Sequence, residues 1–274
     1  MKYESPSVIA AQFETKLRND ELSPNTVRNY SKAVRTYLKY CRGNVCIDTA
    51  IAFKQHLKDL HVESTVNLYI NALNCFLKFS GETFELKCVP IKRVTTTENV
   101  ITEEEYSELC AKLSESENFL DTAIVYLLSQ TGMRISEMLT VTFADVARGY
   151  KNIPTKNKTR TVIFPDSLKA IVLKDGKNPA ERVVPITVRA VQKRLYNMAD
   201  KFGIRKSVMH PHSFRHFFAI RFLKHDKDLS LLSNLLGHSS ISTTAIYLTL
   251  SREEQTERLN NVMKQILEDI DNEM

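Results

Sequence analysis

Apolar residues recur at helical spacing along the first 85 residues of the chain. Residues 7–17, 47–60 and 64–79 each show this period, which predicts three amphipathic helices. A further helix is predicted to begin at Ser23-Pro24, because a capping residue is followed there by proline in the first helical turn. Residues 1–85 are therefore predicted to form a helical domain.

The helix that follows Ser23 has two different faces. Its apolar face includes Val27, Val34 and Leu38 at helical spacing. The other positions form a basic face, which suits a polyanionic partner. The members of this face are Arg28, Lys32, Arg35 and Lys39.

The pattern breaks at residues 86–101, where a proline, basic residues and a run of threonines predict an interdomain linker. A second domain, residues 102–250, opens with Thr102 and Glu105 at the spacing of a capping box. Helices are predicted at 121–139 with an interruption at Thr131-Gly132, and at 187–202, 213–224, 229–236 and from 252 to the end. Two or three short strands are predicted between residues 150 and 165. The predicted fold class is therefore mainly α, with a small antiparallel β-sheet in the second domain.

Charge is distributed unevenly along the 274 residues. The net charge is +6 and the sequence pI is about 9.0. Residues 251–274 hold three basic and seven acidic side chains, a net charge of −4, which leaves +10 on the preceding residues. A basic body suits nucleic acid, although an ordinary basic protein has the same balance.

Cysteine usage and hydropathy point to a soluble cytoplasmic protein. The five cysteines are scattered, odd in number and without a CxxC pair, as expected for reduced thiols rather than a disulfide framework or a zinc site. The N-terminus lacks a long apolar core. Since no stretch approaches the ~20 apolar residues of a membrane span, no membrane association is predicted.

Candidate chemistry is concentrated in the last quarter of the chain. His212 and Arg215 are three residues apart, so a helix places them on one face. An arginine fork matches phosphate oxygens, and a histidine exchanges a proton near neutral pH. His238 follows Leu236-Gly237, and the hydroxyl of Tyr247 is a possible nucleophile. The set suggests chemistry on a phosphate.

Three blocks of sequence resemble the tyrosine recombinase (phage integrase) family. They are SQTGMRISEML at 129–139, HPHSFRHFFA at 210–219 and LLGHSSISTTAIY at 235–247. The resemblance covers about residues 100–250, and the basic helical segment before them resembles the core-binding (SAM-like) domain of that family. It implies a two-domain, C-shaped clamp around duplex DNA.

The resemblance also implies a role for each matching residue. Glu137 is expected to position the first catalytic arginine, and Tyr247 to be the nucleophile. The lysine of the family's β-hairpin matches Lys156, with Lys158 as the alternative, because the register of the turn is open. The implied catalytic set is Arg134, Lys156, His212, Arg215, His238 and Tyr247, and the expected DNA-binding residues are Arg28, Lys32, Arg35, Lys39, Lys158 and Arg160.

The implied activity is site-specific DNA recombination, of the integrase or resolvase type found on mobile genetic elements. DNA would be cleaved and rejoined through a 3′-phosphotyrosyl link, without metal, ATP or other cofactor. The partners would be double-stranded DNA with a recombination site and further copies of the chain, forming a tetramer in the synaptic complex. Residues 251–274 are expected to form a helix with an apolar stripe, which packs either on its own domain or, as the resemblance implies, on a neighbouring subunit.

Three alternatives remain open at this stage. A type IB topoisomerase uses similar chemistry without exchanging strands between partners, and a non-catalytic DNA-binding protein could retain the same fold. His210, His212 and His216 could form a zinc site, but the nearby arginines would repel a cation. The sequence leaves the target site and the biological role open.

Overall fold

The computed structural model describes residues 5–91, 99–154, 159–174 and 178–237, together with Met263. The chain divides into two compact units, Met1–Val94 and Thr95–Met274. The division falls inside the segment 86–101 that the sequence predicted as a linker.

The described part of the first unit is helical, as the periodicity predicted. The second helix starts where expected, and the Ser23 hydroxyl accepts a hydrogen bond from the Thr26 backbone N–H at 3.2 Å. The four helices are α1 (Pro6–Asn19), α2 (Pro24–Tyr40), α3 (Ile47–Leu60) and α4 (Glu63–Phe79).

An aromatic cluster forms the centre of this unit. The rings of Phe13 and Phe76 meet edge to face with centroids 5.4 Å apart, and Tyr37 packs against Phe53 at 5.3 Å. All four side chains are buried. The four rings come from four different helices, so their contacts determine how α1 to α4 pack.

The segment after α4 corrects the predicted start of the linker. Asn74 exchanges two hydrogen bonds with the backbone of Leu86, both 2.9 Å long, and Asn67 does the same with Val89 at 2.7 and 2.8 Å. Leu86 is also buried. Residues 86–89 are therefore bound to α4 and are part of the first unit.

The second unit is mainly helical with one two-stranded antiparallel sheet among its described residues, which confirms the predicted fold class. Two short helices between residues 143 and 172 were not predicted. Its elements are α5 (Glu103–Ser116), α6 (Phe119–Thr131), α7 (Ile135–Met138), α8 (Phe143–Arg148), β1 (Tyr150–Pro154), β2 (Thr159–Ile163), α9 (Asp166–Val172), α10 (Val188–Phe202), α11 (Pro211–His225) and α12 (Leu229–Leu236).

Helix ends in this unit follow local sequence signals. The capping box is confirmed: Glu105 N–H donates to the Thr102 hydroxyl at 3.2 Å, and Thr102 N–H donates to the Glu105 carboxylate at 3.0 Å. Helices α6 and α12 each end at a glycine in the left-handed conformation, Gly132 with φ +59° and Gly237 with φ +65°. Glycine adopts this conformation without a Cβ penalty.

Helix α11 lies between the core and α12. Phe214 and Phe217 are buried in the main core of the unit, and Phe218 and Phe222 pack with the apolar side of α12. The Ser213 hydroxyl accepts a hydrogen bond from the Ile101 backbone N–H at 3.0 Å. This bond ties the start of α11 to the segment that precedes α5. Within the described parts of the chain, no helix combines the length and apolar character needed to cross a membrane.

Candidate active site

Of the predicted site residues, the structure brings together Arg134, Glu137 and Arg215, and residues 235–237, which precede His238 in the chain, lie against them. They meet where the end of α6, the start of α7, helix α11 and the last turn of α12 converge. The approach is close because of Gly132: a Cβ atom there would lie 2.5 Å from the Phe218 ring and 2.8 Å from Leu236 Cδ2. The Thr-Gly turn of the first sequence block is thus a packing requirement as well as a helix stop.

Arg215 is held by backbone carbonyls. Its Nη1 donates to Gly132 O at 2.6 Å and its Nη2 to Leu236 O at 2.7 Å. The side chain is buried, with 4% of the residue exposed. Because both contacts come from the ends of helices, the guanidinium bridges α6 and α12 and has little freedom to reorient.

Arg134 is oriented on one side and open on the other. Its backbone N–H donates to Glu137 Oε2 at 2.7 Å and its Nη1 to Oε1 at 3.0 Å. Its Nη2 donates to Gly237 O at 3.3 Å. With 44% of its side chain exposed, Arg134 is a fixed cation that an incoming anion can reach.

Arg160 does not lie on the surface, which corrects the prediction that it contacts DNA. Its side chain is 1% exposed and forms an ion pair with Glu137 Oε2. The inward direction follows from strand parity, since Arg160 and Val162 are the two buried positions of β2. That alternation is the sequence signal that could have revealed its position.

Glu137 is a buried acid shared by two arginines. Burial alone would raise its pKa, but the backbone N–H of Arg134 and the charges of Arg160 and Arg134 outweigh burial and lower it. The carboxylate is therefore ionised throughout the neutral range. It partly neutralises two cations that would otherwise repel each other.

Three arginines therefore satisfy the last carbonyls of α12. Leu235 O accepts from Arg160, Leu236 O from Arg215 and Gly237 O from Arg134. These carbonyls have no partner inside the helix and lie at the negative end of its dipole, so cations are favoured there. The result is a concentration of positive charge at the C-terminal end of α12.

His210 and His212, at the start of α11, have different environments. His212 is exposed, but desolvation by neighbouring atoms, followed by the positive charges of Arg215, His210 and Arg134, lowers its pKa. It is therefore neutral at pH 7 and able to accept a proton. His210 caps the helix, since its Nδ1 accepts from Ser213 N–H at 3.1 Å. Among the described residues, no group of three His, Cys, Asp or Glu side chains could hold a metal ion.

Four predicted site residues lie outside the described residues. They are Lys156, Lys158, His238 and Tyr247. Their predicted roles rest on the sequence, together with the placement of their neighbours in the chain.

The basic face of α2 lines a cleft of about 740 Å³ in the first unit. Glu14 of α1 accepts hydrogen bonds from Arg18 at 2.8 Å and from Arg35 at 2.7 Å in the same cleft. The predicted residues Arg28, Lys32, Arg35 and Lys39 are all exposed there. Sequence reasoning missed Arg18, which is on the preceding helix and joins the same patch.

Comparison with known proteins gives a consistent result. The family model described as the phage integrase family matches residues 99–254. Tyrosine recombinase XerA of Thermococcus kodakarensis is 29% identical over 275 residues, covering 90% of this chain and 93% of its own length. Tyrosine recombinase XerC of Haemophilus influenzae is 28% identical over 274 residues, covering 86% and 90%.

Solved structures show the same fold. The Tn1549 transposon integrase in complex with transposon right end DNA gives a TM-score of 0.71 at 16% identity, covering 93% of this chain and 99% of the other. A lambda integrase dimer bound to a COC′ core site gives 0.70 at 16% identity, covering 86% and 96%. At this identity the likeness concerns the fold.

The matched residues 99–254 include every catalytic position predicted from the sequence and more than half of the chain. The class is therefore that of tyrosine-type site-specific DNA recombinases, enzymes that break and rejoin DNA strands. The chain belongs to the phage integrase family.

We expect Glu137→Gln to lower the free energy of unfolding by about 3 kcal/mol at pH 7, because buried Arg160 loses its counter-charge. The pKa of Glu137 is lowered by folding, so its charge stabilises the fold above the ordinary value of 4.5, and this contribution is lost as pH falls through the lower folded value. The difference between parent and variant should therefore shrink below pH 4.5. Urea denaturation followed by circular dichroism from pH 7 to pH 3 measures it.

Glu108→Gln is the matched control. Glu108 pairs with Lys112 at 2.6 Å, but its side chain is 53% exposed. An exposed pair contributes at most about 1 kcal/mol, so this variant should unfold close to the parent at every pH. Equal losses in the two variants would contradict the buried role of Glu137.

Proposed function

We propose that this chain cleaves and rejoins DNA at a specific site, with Tyr247 as the nucleophile. The observation that carries the proposal is Arg134, whose fork is fixed by Glu137 and Gly237 while much of its side chain stays open to solvent. A preorganised cation of this kind stabilises charge that develops on a phosphate under attack. Residue 238 directly follows the carbonyls that the arginines cap, and Tyr247 is nine residues further on.

In the proposed reaction, the Tyr247 oxygen attacks the scissile phosphorus while His212 accepts the tyrosine proton. Arg134, Arg215 and His238 stabilise the charge on the non-bridging oxygens. The bond from phosphorus to the 5′ oxygen breaks, and Lys156 donates the proton that this oxygen needs. The products are a 3′-phosphotyrosyl link and a free 5′ hydroxyl. The 5′ hydroxyl of another strand reverses the step, so no metal or ATP is required.

The proposed partner is double-stranded DNA with a recombination site. The basic cleft of the first unit supports this, because Arg18, Arg28, Lys32, Arg35 and Lys39 place five cations on one surface. Such contacts with phosphates give an affinity that falls steeply with salt and that positions the duplex without reading its sequence. The solved DNA complexes of the Tn1549 and lambda integrases, which share the fold, are consistent with this partner.

The proposed assembly for strand exchange is a tetramer of this chain on two DNA sites. Each subunit cleaves one strand, and exchange between two duplexes needs four cleavages. The predicted helix at 251–274 has Leu259, Val262, Ile266 and Leu267 on one side and acidic residues on the other, and the apolar side suits packing against a neighbouring subunit.

We expect Tyr247→Phe to abolish the covalent adduct while DNA binding stays within about twofold, because only the attacking oxygen is removed. The measurement is trapping of a DNA–protein adduct on a nicked suicide substrate, resolved on a denaturing gel. Tyr196→Phe is the matched control: Tyr196 is exposed on α10, and this variant should trap as much adduct as the parent. Undiminished adduct with Tyr247→Phe would show that another residue is the nucleophile.

The general acid can be identified with a modified leaving group. In a substrate whose bridging 5′ oxygen is replaced by sulfur, the leaving group is a thiol with a pKa of about 8.5. It can therefore depart as the thiolate with little help from a general acid. Lys156→Ala should cleave normal DNA at least about 100-fold more slowly than the parent and recover most of that rate on the sulfur substrate. Lys158→Ala is the matched control and should show neither effect. The reverse pattern would assign the role to Lys158.

Removal of residues from Glu257 onward is expected to weaken synapsis more than binding to a single site. The deleted segment would contact a neighbouring subunit and carries net negative charge, so it contributes little to DNA contact. Gel-shift titrations with one labelled site and with paired sites measure the two affinities. Equal loss in both titrations would exclude a docking role.

A further inference from the structure

Arg160 is a buried cation that the proposed chemistry does not use. It lies on β2, and its side chain is 1% exposed. An arginine is rarely buried unless its donors are paired, because removing its charge from water is costly. The contacts of Arg160 should therefore indicate what its burial achieves.

The guanidinium joins three segments of the site. Its Nη1 pairs with Glu137 Oε2, while Nε and Nη2 donate to Leu235 O at 3.1 and 2.6 Å. Glu137 uses its other oxygen to hold the Arg134 guanidinium. One side chain of the hairpin strand thus contacts both the residue that orients Arg134 and the last turn of α12.

The stem of Arg160 also explains Gly237. A Cβ atom on Gly237 would overlap Cδ of Arg160 and lie 2.8 Å from its Nε. The chain can pass over the arginine only because position 237 has no side chain. Arg160 therefore fills the space directly beneath the residue that precedes His238.

We propose that Arg160 is a positioning residue of the recombinase, which fixes the orientation of Arg134 by holding Glu137. The inference rests on the proposed function. It assigns Arg160 no contact with DNA: Arg160 holds Glu137, Glu137 holds the fork of Arg134, and Arg134 meets the phosphate. Geometry of this kind matters because a misplacement of about 1 Å in a catalytic group can cost about 100-fold in rate.

The test compares cleavage rate with DNA affinity. Arg160→Met keeps much of the stem and removes the donors. We expect its affinity for a single site to stay within about twofold and the salt dependence of binding to stay unchanged, while single-turnover cleavage at saturating enzyme falls about 100-fold. Arg160→Lys keeps a charge beside Glu137 but loses the fork. Its single-turnover cleavage should therefore be about 10-fold slower than that of the parent. Arg194→Met is the matched control, since Arg194 is partly exposed on α10 and pairs with Asp121 at 2.6 Å.

A second comparison separates positioning from a merely structural role. Arg134→Lys already lacks the fork that Glu137 holds, so adding Arg160→Met to it should cost less than about threefold in cleavage rate. If Arg160→Met acted only by disturbing the structure, it would lower the cleavage rate by the same factor in the parent and in the Arg134→Lys background.

Three results would overturn the inference. They are a full 100-fold loss in the Arg134→Lys background, a reduced salt dependence in Arg160→Met, and a cleavage rate of Arg160→Met equal to that of the parent. Where Arg160→Met does not fold, the same comparisons are made with Arg160→Lys. A parent chain that forms no covalent adduct would instead contradict the proposed function, so the two failures are distinguishable.

Discussion

The arrangement of the site depends on how the last carbonyls of α12 are satisfied. A helix end in a protein interior needs donors for its unpaired carbonyls. Here the donors are guanidinium groups, with Arg160, Arg215 and Arg134 on successive carbonyls. Three cations at one helix end repel one another, and the buried carboxylate of Glu137 moderates this repulsion by pairing with two of them. The helix end and the acid together keep the cations in place before any substrate arrives.

Two glycines make this arrangement possible. Gly132 lets the end of α6 approach Phe218 and Leu236, and its carbonyl accepts from Arg215. Gly237 leaves space for Arg160, and its carbonyl accepts from Arg134. Each glycine therefore removes a steric obstacle and supplies an acceptor. The glycines of the Thr-Gly and Leu-Gly-His motifs are thus requirements of packing around the arginines.

The sequence predicted what local patterns determine. The long amphipathic helices, the hairpin and the capping box at Thr102 follow from periodicity and cap chemistry. Helices α8 and α9 were missed because six and seven residues hold too few turns to show an apolar period. The bonds from Asn67 and Asn74 to residues 86–89 escaped prediction because they join distant positions. The prediction that Arg160 contacts DNA follows from its charge, whereas its parity on β2 directs the side chain into the interior.

The exposed cations of this protein contribute long-range electrostatic attraction, whereas the buried cations determine the geometry of the site. The basic residues of α2 are exposed to water, where salt screens their field over about 8 Å at physiological ionic strength. In the proposed function, these residues affect how tightly and how fast a duplex is bound. Arg160 and Arg215 are buried, so salt reaches them poorly and their hydrogen bonds determine geometry instead. Arg134 combines the two properties: Glu137 and Gly237 hold its guanidinium, while much of its side chain is exposed to solvent. In the proposed reaction, a phosphate that meets Arg134 therefore meets a charge whose direction is determined by Glu137 and by the carbonyl of Gly237.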